Sequence, residues 1–77
     1  MIRFRLKEVI AEKEFHDGRR ITFEEVASAT GIHRTTLSKL ANQRGYNTTT
    51  DVLDKLCTFF RVSLSDLVEH IADDIKT

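Results

Sequence analysis

Apolar positions recur at helical spacing along most of the chain, and each run stops at a glycine or a polar cluster. Between Arg5 and Glu14, Leu6, Val9, Ile10 and Lys13 share one helical face, with Ile2 one turn earlier, while Glu8 and Glu12 fall on another. This spacing predicts an amphipathic first helix. Ile2 and Phe4 also alternate with Arg3 and Arg5, so the N-terminus can instead begin as a short strand, pairing with residues near His70. The segment Phe15-His16-Asp17-Gly18-Arg19-Arg20 breaks the helical pattern, and Gly18 tolerates the positive φ of a turn, so a surface loop is expected there.

Thr22-Phe23-Glu24-Glu25 has the form of a capping box, with the Thr22 hydroxyl accepting from the Glu25 amide and the Glu25 carboxylate returning to the Thr22 amide. A second helix then starts at Phe23, buries Phe23, Val26, Ala27 and Thr30 on one face, and ends after about two turns at Gly31. Beyond Ile32 a third helix, 33–41, turns Leu37, Leu40 and Ala41 inward and Arg34, Thr35, Ser38 and Lys39 outward. Asn42 to Thr48 reads as a polar loop. Thr49 or a neighbouring threonine caps a fourth helix carrying Val52, Leu53, Leu56, Cys57 and Phe60. Ser63-Leu64-Ser65-Asp66 opens a fifth with Leu64, Leu67, Val68 and Ile71, and the last few residues are expected to fray. The pattern is all-α, a single domain over residues 1–77.

Composition narrows what such a domain can do. At 77 residues it has a thin core, and no apolar run approaches the roughly 20 residues that cross a bilayer. Cys57 is the only cysteine, which rules out an internal disulfide and points to a cytoplasmic address. The formal charge is zero but unevenly spread. Residues 26–50 hold Arg34, Lys39, Arg44 and His33 without one acidic side chain, whereas 51–77 are net acidic. The chain can thus present a basic face to phosphates with its acidic end turned away, or the charges are ordinary scatter. His16, His33, His70 and Cys57 lack the paired spacing of metal ligands, so no metal or cofactor is expected. No Ser/His/Asp or Cys/His arrangement suggests an enzyme. Of Phe59 and Phe60, both rings pack in the core, or one stays exposed and marks a dimer surface.

Ala27, Gly31, Ile32, Leu37 and Leu40 meet the needs of a helix-turn-helix: a small residue in the first helix, a turn glycine, and apolar residues where two helices cross closely. The outer face of the third helix is then free of bulky aliphatics and suits a major groove. Arg34 and Lys39 can reach guanine edges or phosphates, and Thr35, Thr36 and Ser38 can meet bases, thymine methyls or the backbone. His33 reads as a cap of that helix or a phosphate contact.

The run from Thr22 to Leu40 resembles the core of the lambda-repressor-like, or XRE-type, helix-turn-helix proteins. The similarity continues through Asp51–Cys57 and Phe60–Leu67, covering roughly residues 4–70. It implies a compact five-helix domain that binds double-stranded DNA sequence-specifically, usually as a homodimeric transcriptional regulator, more often a repressor than an activator. By position, Arg34, Thr35, Ser38 and Lys39 would face bases, and Thr22, Phe23, Thr36, Asn42 and Arg44 would lie near phosphates. Three departures stand out. Phe23 replaces a frequent glutamine and cannot make its hydrogen bonds. Ile10 and Ala41 together replace a frequent buried Arg and Glu, exchanging a charge pair for apolar packing without stranding either charge. The loop from Phe15 to Ile21 is longer, and its Arg19 and Arg20 either touch flanking phosphates or stay solvated. A different class of function is a helix-turn-helix kept as a protein-binding module, such as an antitoxin-like or adaptor subunit.

Overall fold

The computed structural model describes residues 1–72, so the expectation of fraying at the last few residues lies mostly outside them. Along the chain run β1 (Ile2–Phe4), α1 (Leu6–Asp17), α2 (Phe23–Thr30), α3 (Arg34–Asn42), α4 (Thr50–Phe60), α5 (Leu64–Leu67) and β2 (Val68–His70). The five expected helices are present, with a two-stranded ribbon added. One core takes Leu6, Val9 and Ile10 from α1, Val26 from α2, Leu37 and Leu40 from α3, Leu56 and Phe60 from α4, and Leu67 from α5. Ile21 and Ile32, from the connections either side of α2, complete it. Ile10 is buried and Ala41 packs against the same cluster, so the two apolar replacements both serve the core.

Helix α1 is longer than its apolar stripe. It continues through Phe15, His16 and Asp17 and stops at Gly18, whose φ of 69° is left-handed and whose N–H reaches the Glu14 carbonyl. The expected loop therefore starts three residues late. Nothing in Phe15-His16-Asp17 forbids helix; these residues merely lack a buried face, and the Phe15 ring is 88% exposed. Helix α2 begins at Thr22, whose hydroxyl accepts from the Glu25 amide at 3.1 Å, and ends at Gly31 with φ 78°. A Cβ on Gly31 would meet nothing within 4 Å, so the position wants glycine for its φ and not for space.

Thr49 caps α4 by accepting from the Val52 amide at 3.2 Å. The helix ends at Arg61, which holds φ 57°, a left-handed conformation that costs a side-chain-bearing residue about 1–2 kcal/mol. Arg61→Gly relieves that cost but adds about 0.5–1 kcal/mol of chain entropy. A net rise in melting temperature of about 2–6 °C is expected from a circular-dichroism melt. A fall would mean that the packing of the Arg61 stem outweighs its backbone strain.

The fifth helix is shorter than expected. Asp66 accepts from both the amide and the hydroxyl of Ser63, fixing the entry. After one turn, however, Val68-Glu69-His70 leaves as β2 and pairs antiparallel with β1, in the register Ile2↔His70, Arg3↔Glu69 and Phe4↔Val68. Val68 and Ile71 thus leave the helical stripe to which their spacing assigned them. The strand at the N-terminus offers a ladder, extended at either end by Arg5 N–H to Leu67 O and Ile71 N–H to Met1 O, and these bonds replace a second helical turn. Across it Arg3 bridges Glu69 at 3.1 Å and Glu8 at 2.6 Å. The alternative reading of Ile2 and Phe4 as a strand facing His70 is the one the chain adopts.

Candidate nucleic-acid interface

The α2–turn–α3 unit sets the geometry of the site. Gly31 reverses the chain, Ile32 plugs the turn into the core, and Leu37 and Leu40 seat α3 from below. At 100° per residue, Leu37, Leu40 and Ala41 occupy the inner arc of α3, while Arg34, Ser38, Asn42, Thr35 and Lys39 spread over an outer arc of about 140°. The buried arc leaves Arg34, Thr35 and Lys39 exposed and Ser38 half-buried, so the four residues expected to face bases lie on one face. Helix α3 carries no acidic residue in its first turn and Lys39 in its last.

The remaining predicted residues divide. Thr22 is exposed at the start of α2, but its hydroxyl already accepts from Glu25. His33 occupies the N-cap position of α3 without a side-chain capping bond, which removes the capping role and leaves an exposed ring beside the outer face. Thr36 is half-buried at the edge of that face. Asn42 is the last residue of α3 and not part of the loop, because its side-chain amide donates back to the Ser38 carbonyl at 3.0 Å and holds the final turn. Arg44 lies beyond the helix, with Nε 3.4 Å from the Met1 sulfur. Phe23 is half-buried against the core, and its remaining surface lines a notch of about 260 Å3 together with Arg34, Thr35 and Ser38.

Three charged contacts were not legible in the sequence. Glu24, at the start of α2, sits 3.4 Å from Arg34 at the start of α3, with both side chains about two-thirds exposed. A surface pair of this kind is worth at most about 1 kcal/mol, so it positions Arg34 without locking it. Lys39 stands 6.0 Å from the centre of the Tyr46 ring, at the limit of a cation–π contact, and Tyr46 itself packs against the core. Arg19 grips Glu25 through two hydrogen bonds of 2.9 and 2.7 Å. The carboxylate expected to complete the α2 capping box is therefore turned to the loop, and only the Thr22 half of the box forms.

The Arg19 hydrogen bond and charge hold the Glu25 carboxyl below its ordinary 4.5. The sign follows: what this pair adds to stability is fully present above the ordinary value and is lost as pH falls through the lowered one. Glu14 accepts the Ile21 amide at 2.8 Å, so the loop is pinned at both ends and Arg19 is already engaged with the protein. Cys57 is half-buried against the core; burial, with help from Asp54 and Asp66, pushes its thiol up and away from reactive thiolate chemistry. Among the described residues no three His, Cys, Asp or Glu side chains gather where a metal could sit, and no helix is long and apolar enough to cross a membrane.

A short helix pair crossing at a glycine turn, with a polar and basic outer face on its second helix, defines the class of helix-turn-helix proteins. Residues 5–73 match the Cro/C1-type helix-turn-helix DNA-binding domain, and the chain belongs to that family. The match covers all five helices and β2, and begins just after β1. It is a family of DNA-binding domains rather than of enzymes. Among curated proteins none matches the chain as a relative.

Proposed function

We propose that this chain is a sequence-specific double-stranded DNA-binding transcriptional regulator, a single domain that inserts α3 into the major groove. The observation that carries this reading is the outer face of α3, where Arg34, Thr35, Ser38 and Lys39 stand together on a helix seated from below by Leu37 and Leu40. Arg34 and Lys39 read guanine edges, and Thr35 and Ser38 adapt to neighbouring bases. Thr22, His33, Thr36, Asn42 and Arg44 contact phosphates and so fix its register. The protein acts as a homodimer on a palindrome, with half-sites about 34 Å apart. Repression is the simpler output, since occluding a site needs nothing beyond binding to it.

Selection of bound duplexes from a random pool at moderate salt tests the reading: a short palindrome should be enriched, and no enrichment would overturn it. On the enriched duplex, affinity should fall steeply with salt, each neutralised phosphate adding roughly 0.9 to the log–log slope. Arg44→Ala should flatten that slope by about one unit. An unchanged slope would remove Arg44 from the phosphate contacts.

A further inference from the structure

The notch between α2 and α3 has a composition that hydrogen-bonding readout does not explain. Its lining is Phe23 from the first turn of α2, and Arg34, Thr35 and Ser38 from α3, which are three of the four base-facing residues. Phe23 is anchored by its packing against the core, yet keeps part of its surface in this notch, on a face otherwise made of charged and hydroxyl side chains. A phenyl ring offers neither donor nor acceptor to a base edge or a phosphate. On the major-groove edge of DNA the one apolar feature that such a surface can recognise is the C5-methyl group of a pyrimidine. Thr35, on the same wall, carries a methyl of its own.

Resting on the DNA-binding reading above, we infer that the Phe23–Thr35 notch is a subsite for a pyrimidine C5-methyl group, thymine in unmodified DNA, beside the base read by Arg34. Arg34 lines the same notch and starts from its contact with Glu24, so it reaches out over the bound methyl toward the neighbouring base pair. Specificity at that pyrimidine comes from the methyl and not from the hydrogen-bonding edge. A cytosine that carries the same methyl supplies the same apolar surface.

The probe is the duplex enriched by selection, with each thymine replaced singly by deoxyuridine, which removes the methyl and leaves base pairing intact. One thymine position in each half-site should show a loss of about fourfold in affinity, the effect of withdrawing one buried methyl. In Phe23→Ala, and independently in Thr35→Ser, which keeps the hydroxyl and disturbs no core contact, the thymine-to-deoxyuridine ratio at that position should fall toward one. The position whose base preference is lost in Arg34→Ala should lie next to it. A wild-type protein that binds its enriched site equally well with every thymine replaced would overturn this subsite while leaving DNA binding in place. A thymine preference untouched by both Phe23→Ala and Thr35→Ser would also overturn it, by placing the methyl elsewhere. If no duplex is enriched at all, the parent reading fails and the subsite with it.

Discussion

Phe60→Ala is expected to bring the chain close to unfolding at physiological temperature. Phe60 is 1% exposed and packs edge-on to Phe59, with ring centres 4.9 Å apart and planes at 86°. It lies in the last turn of α4, whose Leu56 is also fully buried, and the core around these two residues gathers side chains from all five helices. Emptying a buried phenyl site costs about 3–5 kcal/mol. A chain of this length holds only roughly 4–12 kcal/mol in all. At about 4–8 °C per kcal/mol, the melting temperature should drop by about 15 °C or more in a circular-dichroism melt. Phe59→Ala is the control, because Phe59 is only partly buried and should lose much less. Equal losses in the two variants would show that the core is not centred on Phe60.

How much of this arrangement the sequence disclosed depends on where each signal resides. Caps and turns are local, so Thr22, Gly31, Thr49 and Ser63 all sit where their residue types placed them. The buried stripes of α1 to α4 were legible for the same reason, since an apolar residue at the correct period has one face to bury; in α5 only Leu67 of the expected stripe is buried, and Leu64 is 55% exposed. The end of α1 was misplaced because periodicity reports burial and not helicity: Phe15, His16 and Asp17 continue the helix into solvent. The conversion of Val68–His70 from helix to strand depends on a partner more than sixty residues away, so its own periodicity does not report it; the alternation of Ile2 and Phe4 with Arg3 and Arg5 was the one signal that pointed to the pairing. The contacts Arg19–Glu25, Arg34–Glu24 and Lys39–Tyr46 likewise arise only when elements are brought together. At the site itself, the outward face of α3 was readable from the inward one. What Phe23 shares with that face was not, because it depends on how α2 and α3 cross.

The Arg34→Ala, Lys39→Ala double variant is expected to lose at least about thirtyfold in affinity for the enriched duplex, each specific base contact being worth about 1–3 kcal/mol. The fold should hardly notice. Both side chains are exposed; Arg34 has the one 3.4 Å pair to Glu24, and Lys39 stands at the edge of cation–π range from Tyr46. Surface groups of this kind usually change stability by less than about 0.5 kcal/mol, so the melting temperature should stay within a few degrees of wild type. That combination separates reading from folding: an affinity loss without a melting shift places the contacts on α3, whereas a shared loss would mean that the variant had damaged the scaffold. It also separates DNA recognition from the protein-binding alternative. Fluorescence anisotropy with the enriched duplex should show residual binding that no longer distinguishes it from a scrambled one, since phosphate contacts from Arg44 and its neighbours survive. If instead selection enriches no duplex and wild type and variant bind unrelated duplexes alike, the polar face of α3 is not a base-reading surface in this chain, and the protein-binding alternative is favoured.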